Sequence, residues 1–207
     1  MTNPPLIIDV LRHGETVLSG RFCGSSDPDL TECGWAQMRG QVGAGTWAQI
    51  VTSPLKRCAE FAQTLAPAAM IDPRFQEMHF GAWEARETQE IWVENPAALE
   101  AFWQDPDAHP APNGERWGDF QARVGEAFSS LTETPNASHA GAQAEGPFLL
   151  ITHAGVMRAL LVSELNMTLA AAWKISLPLG AMMRLCVHLD SETQQRHTQL
   201  LSLKGTA

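Results

Sequence analysis

Three short stretches of this sequence carry residues able to do chemistry on an anion. Arg12-His13-Gly14 sets a cation, a nucleophile or base, and a residue without a side chain directly after the apolar run Leu6-Ile-Ile-Asp-Val-Leu11. Taken alone, such a tripeptide also reads as a strand-to-helix turn with a solvated Arg and His, because short motifs recur by chance. Its position argues the other way: an arginine clamps phosphate, and a glycine lets a ligand approach the backbone. Ser53-Pro-Leu-Lys-Arg57 puts Arg57 in the first turn of a helix, where the helix dipole disfavours a cation unless an anion lies between them. The bland alternative is an arginine reaching to solvent or to a surface carboxylate. Thr152-His153-Ala154-Gly155 repeats the logic of the first motif after a second apolar run, although a lone histidine there is more commonly buried and hydrogen-bonded. Two such histidines from strands of one sheet, with Arg12 and Arg57, assemble a dense cationic pocket whose natural guest is a phosphate ester.

The elements that must position these residues alternate. Leu6–Leu11, Ile50–Ser53 and Phe148–Thr152 are short apolar runs that read as buried strands, with Met70-Ile71 as a brief fourth. Between and after them, helical patterns span Thr31–Gln41 (capped by Thr31), Leu55–Leu65, Arg116–Leu131 and Val156–Leu165, with shorter stretches near Glu87–Glu94 and Ala97–Trp103. Thr132–Gly146 is small, polar and broken by proline and glycine, and reads as a surface loop; Met182–His188 and Gln199–Leu203 read as a closing antiparallel pair. The predicted fold is therefore α/β, a three-layer sandwich: a mainly parallel central sheet flanked by helices, a C-terminal antiparallel pair and an inserted, lid-like segment over 78–117. In such sheets ligands bind beyond the carboxyl ends of the strands, where both histidines fall.

With 207 residues, 44% hydrophobic and 18% charged, the chain is expected to form one folded domain, 1–207. A net charge of −9 argues against nucleic acid or an anionic membrane as partner. The four cysteines have no zinc or dithiol spacing and are read as reduced thiols; no metal is expected where cations supply the field, and no cofactor is expected. The start of the chain has no basic cluster ahead of an apolar stretch and no run spans a bilayer, which predicts a cytoplasmic protein. Association with further copies of itself is left open.

Leu11-Arg-His-Gly-Glu-Thr16, Ser53-Pro-Leu-Lys-Arg57, Glu77-Met-His-Phe-Gly-Ala-Trp-Glu84 and Thr152-His-Ala-Gly-Val156 resemble, in order and spacing, the motifs of the histidine phosphatase superfamily, which includes the cofactor-dependent phosphoglycerate mutases. The resemblance covers nearly the whole chain. It implies that His13 attacks phosphorus to form a phosphohistidine, that Arg12, Arg57 and His153 hold the phosphate oxygens, and that Glu77 is the proton donor. An acid at neutral pH has to keep its proton, which burial and a neighbouring phosphate anion favour. Glu77 read without its neighbours is a surface carboxylate. The resemblance also assigns Ser19, Cys23, Gly24 and Ala154 to the phosphate site, with Ser19 at a position that is often Asn and Cys23 where a small polar residue is usual.

Within the superfamily, His79-Phe-Gly-Ala-Trp-Glu84, Trp103-Gln-Asp-Pro106, Pro112-Asn-Gly-Glu115 and Leu177-Pro-Leu-Gly-Ala181 are most similar to α-ribazole phosphatases. That implies hydrolysis of α-ribazole 5′-phosphate or cobalamin 5′-phosphate in cobalamin nucleotide loop assembly, with a small-molecule phosphate ester as partner. The alternatives are a phosphatase of broad range and a phosphoglycerate mutase-like enzyme. The segment from Met78 to Trp117 has only Arg86 and Arg116 as arginine or lysine, which disfavours a second acidic group on the substrate. It also holds Trp83, Trp92, Trp103 and Trp117, which are expected either to wall the pocket mouth or to form a small core under the segment.

Overall fold

A computed structural model describes residues 4–133, 146–190, 193 and 195–205. Its strands are β1 (Leu6–Arg12), β2 (Gln49–Thr52), β3 (Met70–Ile71), β4 (Phe148–Thr152), β5 (Met182–Leu189) and β6 (Arg196–Lys204). Its helices are α1 (Glu32–Val42), α2 (Lys56–Leu65), α3 (Thr88–Glu94), α4 (Pro96–Gln104), α5 (Trp117–Glu133), α6 (Ala154–Leu165) and α7 (Leu169–Trp173).

The strands form one sheet of order β3-β2-β4-β1-β5-β6. β1, β2, β3 and β4 run parallel, and β5 and β6 add antiparallel, as the sequence predicts. Alternation along each strand decides what covers each face. Ile8, Val10, Val51, Phe148 and Leu150 share a core with residues of α5 and α6, whereas Leu11, Ile50, Leu149 and Ile151 pack with residues of α1 and α2. With both faces covered, the central strands had to be nearly continuous apolar runs. The segment 78–117 contributes Trp83, Ile91, Leu99, Phe102, Ala111 and Trp117 to the first of these cores.

Helix ends follow local chemistry. The Thr31 hydroxyl accepts from Gly34 N–H at 3.0 Å and starts α1, with Glu32 in the first turn, where the dipole favours an anion. α2 has no side-chain cap of its own, and Asp27 supplies one by accepting from Lys56 N–H at 2.7 Å. α6 stops at Asn166, in the left-handed region at φ 53°.

Three readings differ in detail. α7 was not expected, because five residues starting at a Thr168 cap are too few to show a periodicity. β6 is longer than Gln199–Leu203, since an edge strand with polar residues on its open face lacks an apolar signature. Of the expected loop Thr132–Gly146, Thr132 and Glu133 belong to α5 and 134–145 lie outside the described residues. Among the described residues no helix is long and apolar enough to cross a membrane.

The sheet brings the key strand ends together. Arg12 of β1 pairs in register with Thr152 of β4, and Thr52 of β2 pairs with Ile151. The next residues, His13, Ser53 and His153, therefore emerge side by side at one edge.

Candidate active site

His13 is almost fully buried and borders a cavity of about 340 Å³. Its Nδ1 lies 2.8 Å from the Gly14 carbonyl oxygen, which only accepts, so Nδ1 carries the proton and donates. The lone pair is thereby left on Nε2. Burial, followed by the charges of Arg57 and Arg12, holds this imidazole well below its ordinary value of 6.5, so it is neutral at neutral pH.

Arg12 lines the same cavity and donates from Nη1 to the Leu177 carbonyl. Its Nε is buried without a partner among the described residues. Burial lowers the guanidinium to about 10, with Glu77 opposing, which still leaves it charged. Glu77 faces these groups. Its carboxylate accepts from Met78 N–H at 2.9 Å and from Gly155 N–H at 3.0 Å, and it too lines the cavity. A Cβ at position 155 would lie 2.0 Å from Glu77 Oε1, so any larger residue there would push this carboxylate out of place.

Arg57 and His153 stand one layer deeper than expected. Neither is among the residues that line the cavity, and both are wholly buried. Arg57 donates to the carbonyls of Ser26 (2.7 Å), Cys23 (3.0 Å) and Gly24 (3.1 Å), and through Nε to His153 Nδ1 at 3.3 Å. With Nδ1 accepting, His153 carries its proton on Nε2 and donates it to the Ser53 hydroxyl at 2.7 Å. Burial, then Arg57, His13, Arg12 and Arg123, lower His153 well below 6.5. The two imidazoles meet edge to face with centroids 5.2 Å apart. In this geometry His153 orients Arg57 and backs His13, and both of its ring nitrogens are engaged within the protein. Cys58, beside it, is a packing group whose thiol burial pushes up to about 12.

A model of the histidine phosphatase superfamily (branch 1) matches residues 8–199. The chain belongs to this superfamily. Among curated relatives, a protein of Mycobacterium tuberculosis named as bifunctional is 35% identical over 130 residues, 58% of this chain. The match spans only 35% of that relative's length. The adenosylcobalamin/alpha-ribazole phosphatase of Salmonella typhimurium is 25% identical over 180 residues, covering 83% of this chain and 85% of its own. Among solved structures, one titled mycobacterial hydrolase 2 superposes with a TM-score of 0.85 over 100% of this chain and 93% of its own, at 23% identity, and shares the fold.

This histidine phosphatase superfamily member departs from its motif-based assignments at particular residues. Ser19, Cys23 and Ala154 do line the cavity, although the Ser19 hydroxyl is used to accept from Thr16 N–H at 2.9 Å. Gly24 does not line it: its N–H donates to Glu84 at 3.2 Å and its carbonyl accepts from Arg57, so no polar group is left for a phosphate. Arg86 and Arg116 also point elsewhere, pairing with Glu94 and Asp107. Of the four expected tryptophans, Trp103 and Trp117 line the cavity, while Trp83 packs among Phe22 and Phe102 at 5.5 and 5.3 Å and Trp92 is exposed away from it.

Arg158 and Trp173 were missed. Arg158 follows Ala154 by four residues on α6 and so shares its face, a signal that was legible; Trp173 comes from the unexpected α7. The Arg158 guanidinium lies over the Trp173 ring at 4.8 Å, and its Nε is buried without a partner among the described residues.

Glu84 ties this site's loops together. Its carboxylate accepts from the N–H groups of Gly24, Ser25, Ser26 and Phe80 and from the Ser26 hydroxyl, joining the 23–26 loop that grips Arg57 to the segment that begins at Glu77. Burial alone would raise this carboxyl, but the bonds from Ser26, Phe80 and Ser25 outweigh it and hold it below its ordinary 4.5. Glu84→Gln should cost about 2 kcal/mol, read from the urea midpoint, because an amide leaves part of the N–H cluster unsatisfied. A depressed carboxyl stabilises the fold above its unfolded value and loses that contribution as pH falls through its folded value. The gap between wild type and Glu84→Gln should therefore be full above pH 4.5 and shrink below it. A gap independent of pH would contradict the assignment.

Proposed function

We propose that this protein is a phosphomonoesterase that hydrolyses a small organic phosphate through a phosphohistidine at His13. The observation that carries the reading is a neutral, tethered imidazole with a free Nε2 at a cavity shared with Arg12 and Glu77. In the first step Nε2 attacks phosphorus, the bond to the ester oxygen breaks, and Glu77 gives its proton to the departing oxygen. In the second step water attacks the phosphohistidine, passes a proton to Glu77, and the P–N bond breaks to release phosphate and neutral His13. Arg12 at the wall and Arg57 behind it supply the positive field that the shifting charge needs.

For the substrate we propose α-ribazole 5′-phosphate or cobalamin 5′-phosphate. Phe80, Phe102, Trp103 and Trp117 line the cavity, so a flat apolar base beyond the ribose would find aromatic surface there. The likeness to the alpha-ribazole phosphatase of Salmonella typhimurium supports the same reading. On a panel of esters, kcat/KM should be much higher for α-ribazole 5′-phosphate than for 3-phosphoglycerate. Trp103→Ala, at a half-open position, should erase that preference and spare p-nitrophenyl phosphate. Equal efficiency across the panel would leave a phosphatase of broad range. A second reading, a phosphoglycerate-like substrate, is favoured by one observation, the Arg158 cation in the same cavity. It predicts the opposite order on the panel, with 3-phosphoglycerate weakened selectively by Arg158→Gln.

A further inference from the structure

The proton donor sits on a stretch of irregular backbone, and one arginine outside the cavity holds that stretch. Arg123, on α5, uses all five of its N–H groups. Nη1 donates to the carbonyls of Arg74 and Gln76 at 2.7 and 2.8 Å, and Nη2 to the carbonyl of Glu77 itself at 3.1 Å. The remaining donors, on Nε and Nη2, form a fork onto the Glu115 carboxylate at 2.7 and 2.9 Å. The guanidinium also lies 4.7 Å from the Phe120 ring centroid, so its plane is fixed from three sides.

Glu115 extends the clamp across the segment between residues 78 and 117. Its N–H donates to the His79 carbonyl at 2.8 Å and its carboxylate accepts from His79 N–H at 3.2 Å. The residues on both sides of Glu77 are thus tied to one Arg-Glu pair: Arg74, Gln76 and Glu77 through Arg123, and His79 through Glu115. The side chain of Glu77 then has little freedom left, since Met78 N–H and Gly155 N–H hold its carboxylate from inside. A proton donor displaced by about an ångström loses much of its effect, because proton transfer needs hydrogen-bond reach.

We propose that Arg123, held by Glu115, is the positioning residue of the proton donor and acts on turnover only through Glu77. The proposal rests on Glu77 being the acid. It predicts a dependence on the leaving group that a merely structural role would not produce. Arg123→Lys keeps the charge but cannot span three carbonyls and a carboxylate. It should lower kcat/KM for an alkyl phosphate such as glycerol 2-phosphate roughly ten- to a hundredfold relative to kcat/KM for p-nitrophenyl phosphate, since kcat/KM reports the first step, in which the leaving group departs. Glu115→Gln should move the same ratio in the same direction by a smaller factor, and it stands in if Arg123→Lys fails to fold.

The deciding measurement is the cycle with Glu77→Gln. If Arg123 works through Glu77, adding Arg123→Lys to Glu77→Gln should change kcat/KM for the alkyl ester by no more than about threefold, since the group being positioned is already gone. Equal losses of kcat/KM on alkyl and aryl esters, or losses that multiply in the double variant, would overturn the proposal and make Arg123 a structural clamp. If Glu77→Gln by itself discriminates between the two esters and Arg123→Lys does not, the role of Arg123 fails while the acid stands. If Glu77→Gln shows no discrimination, the acid assignment fails and the role of Arg123 falls with it.

Discussion

Replacing His13 by alanine should reduce turnover of every phosphate ester by on the order of 10⁴-fold or more, and should abolish a covalent phosphoenzyme. The size of the effect follows from how the imidazole is prepared. Its Nδ1 proton is committed to the Gly14 carbonyl, so the nitrogen proposed as nucleophile is defined before substrate arrives. Burial and the adjacent arginine charges keep it unprotonated. Among the described residues that line the cavity no other is a histidine, and His153 is behind the wall with both nitrogens engaged. Rapid quenching of wild-type protein with labelled substrate should leave label on the protein in base and lose it in acid, because a P–N bond is acid-labile. Label that survives acid, or persists in His13→Ala, would contradict the assignment. The same environment makes a prediction on pH. With a folded value well below 6.5, loss of neutral His13 in the free enzyme should begin only well below pH 6.5, so an acid limb of kcat/KM at 6.5 cannot be assigned to it.

Glu77→Gln should separate substrates by their leaving groups. General acid catalysis contributes about 10²- to 10⁴-fold, and an amide has no acidic proton to give. Alkyl esters, whose alkoxide is a poor leaving group, should lose turnover by roughly that factor. p-Nitrophenyl phosphate, whose phenolate departs readily, should lose far less in the first step. The geometry makes glutamine a fair probe. It matches glutamate in shape, and its amide oxygen can still accept one of the two N–H groups that hold the carboxylate, from Met78 and Gly155. Because Glu77 also takes the proton from water in the second step, which all esters share, the comparison is made on kcat/KM, which reports the first step, and equal losses there on both esters would show that Glu77 is not the acid.

Much of this was legible in local sequence because the signals are local. Ile8 and Val10 face one side and Leu11 the other, so the run before Arg12 had to be a strand covered on both faces, and its end had to fall at the sheet edge. The same reasoning worked for Phe148–Thr152. Thr31 announced α1 by its own side chain, and the order of strands and helices then implied a parallel sheet with both histidines at one edge.

What local sequence could not contain is the depth of each group and its partners. Arg57 and His153 are 96 residues apart, and only the closure of β2 against β4 puts Nε against Nδ1 and removes both from the cavity wall. Gly24 carries a phosphate-contact assignment by position, yet Glu84, 60 residues away, takes its N–H. Of the four tryptophans in the 78–117 segment, Trp103 and Trp117 border the cavity, and Trp83 and Trp117 pack into the core, a choice made by which neighbours the folded chain supplies. Arg158 and Trp173 enter the site from helices on the far side of β4 in the chain, one of them too short to leave a periodic trace. Residue type and spacing along the chain determined which chemistry was available; packing across the sheet decided which groups reach the cavity and which stand behind it, because hydrogen-bond partners and burial are properties of the closed fold.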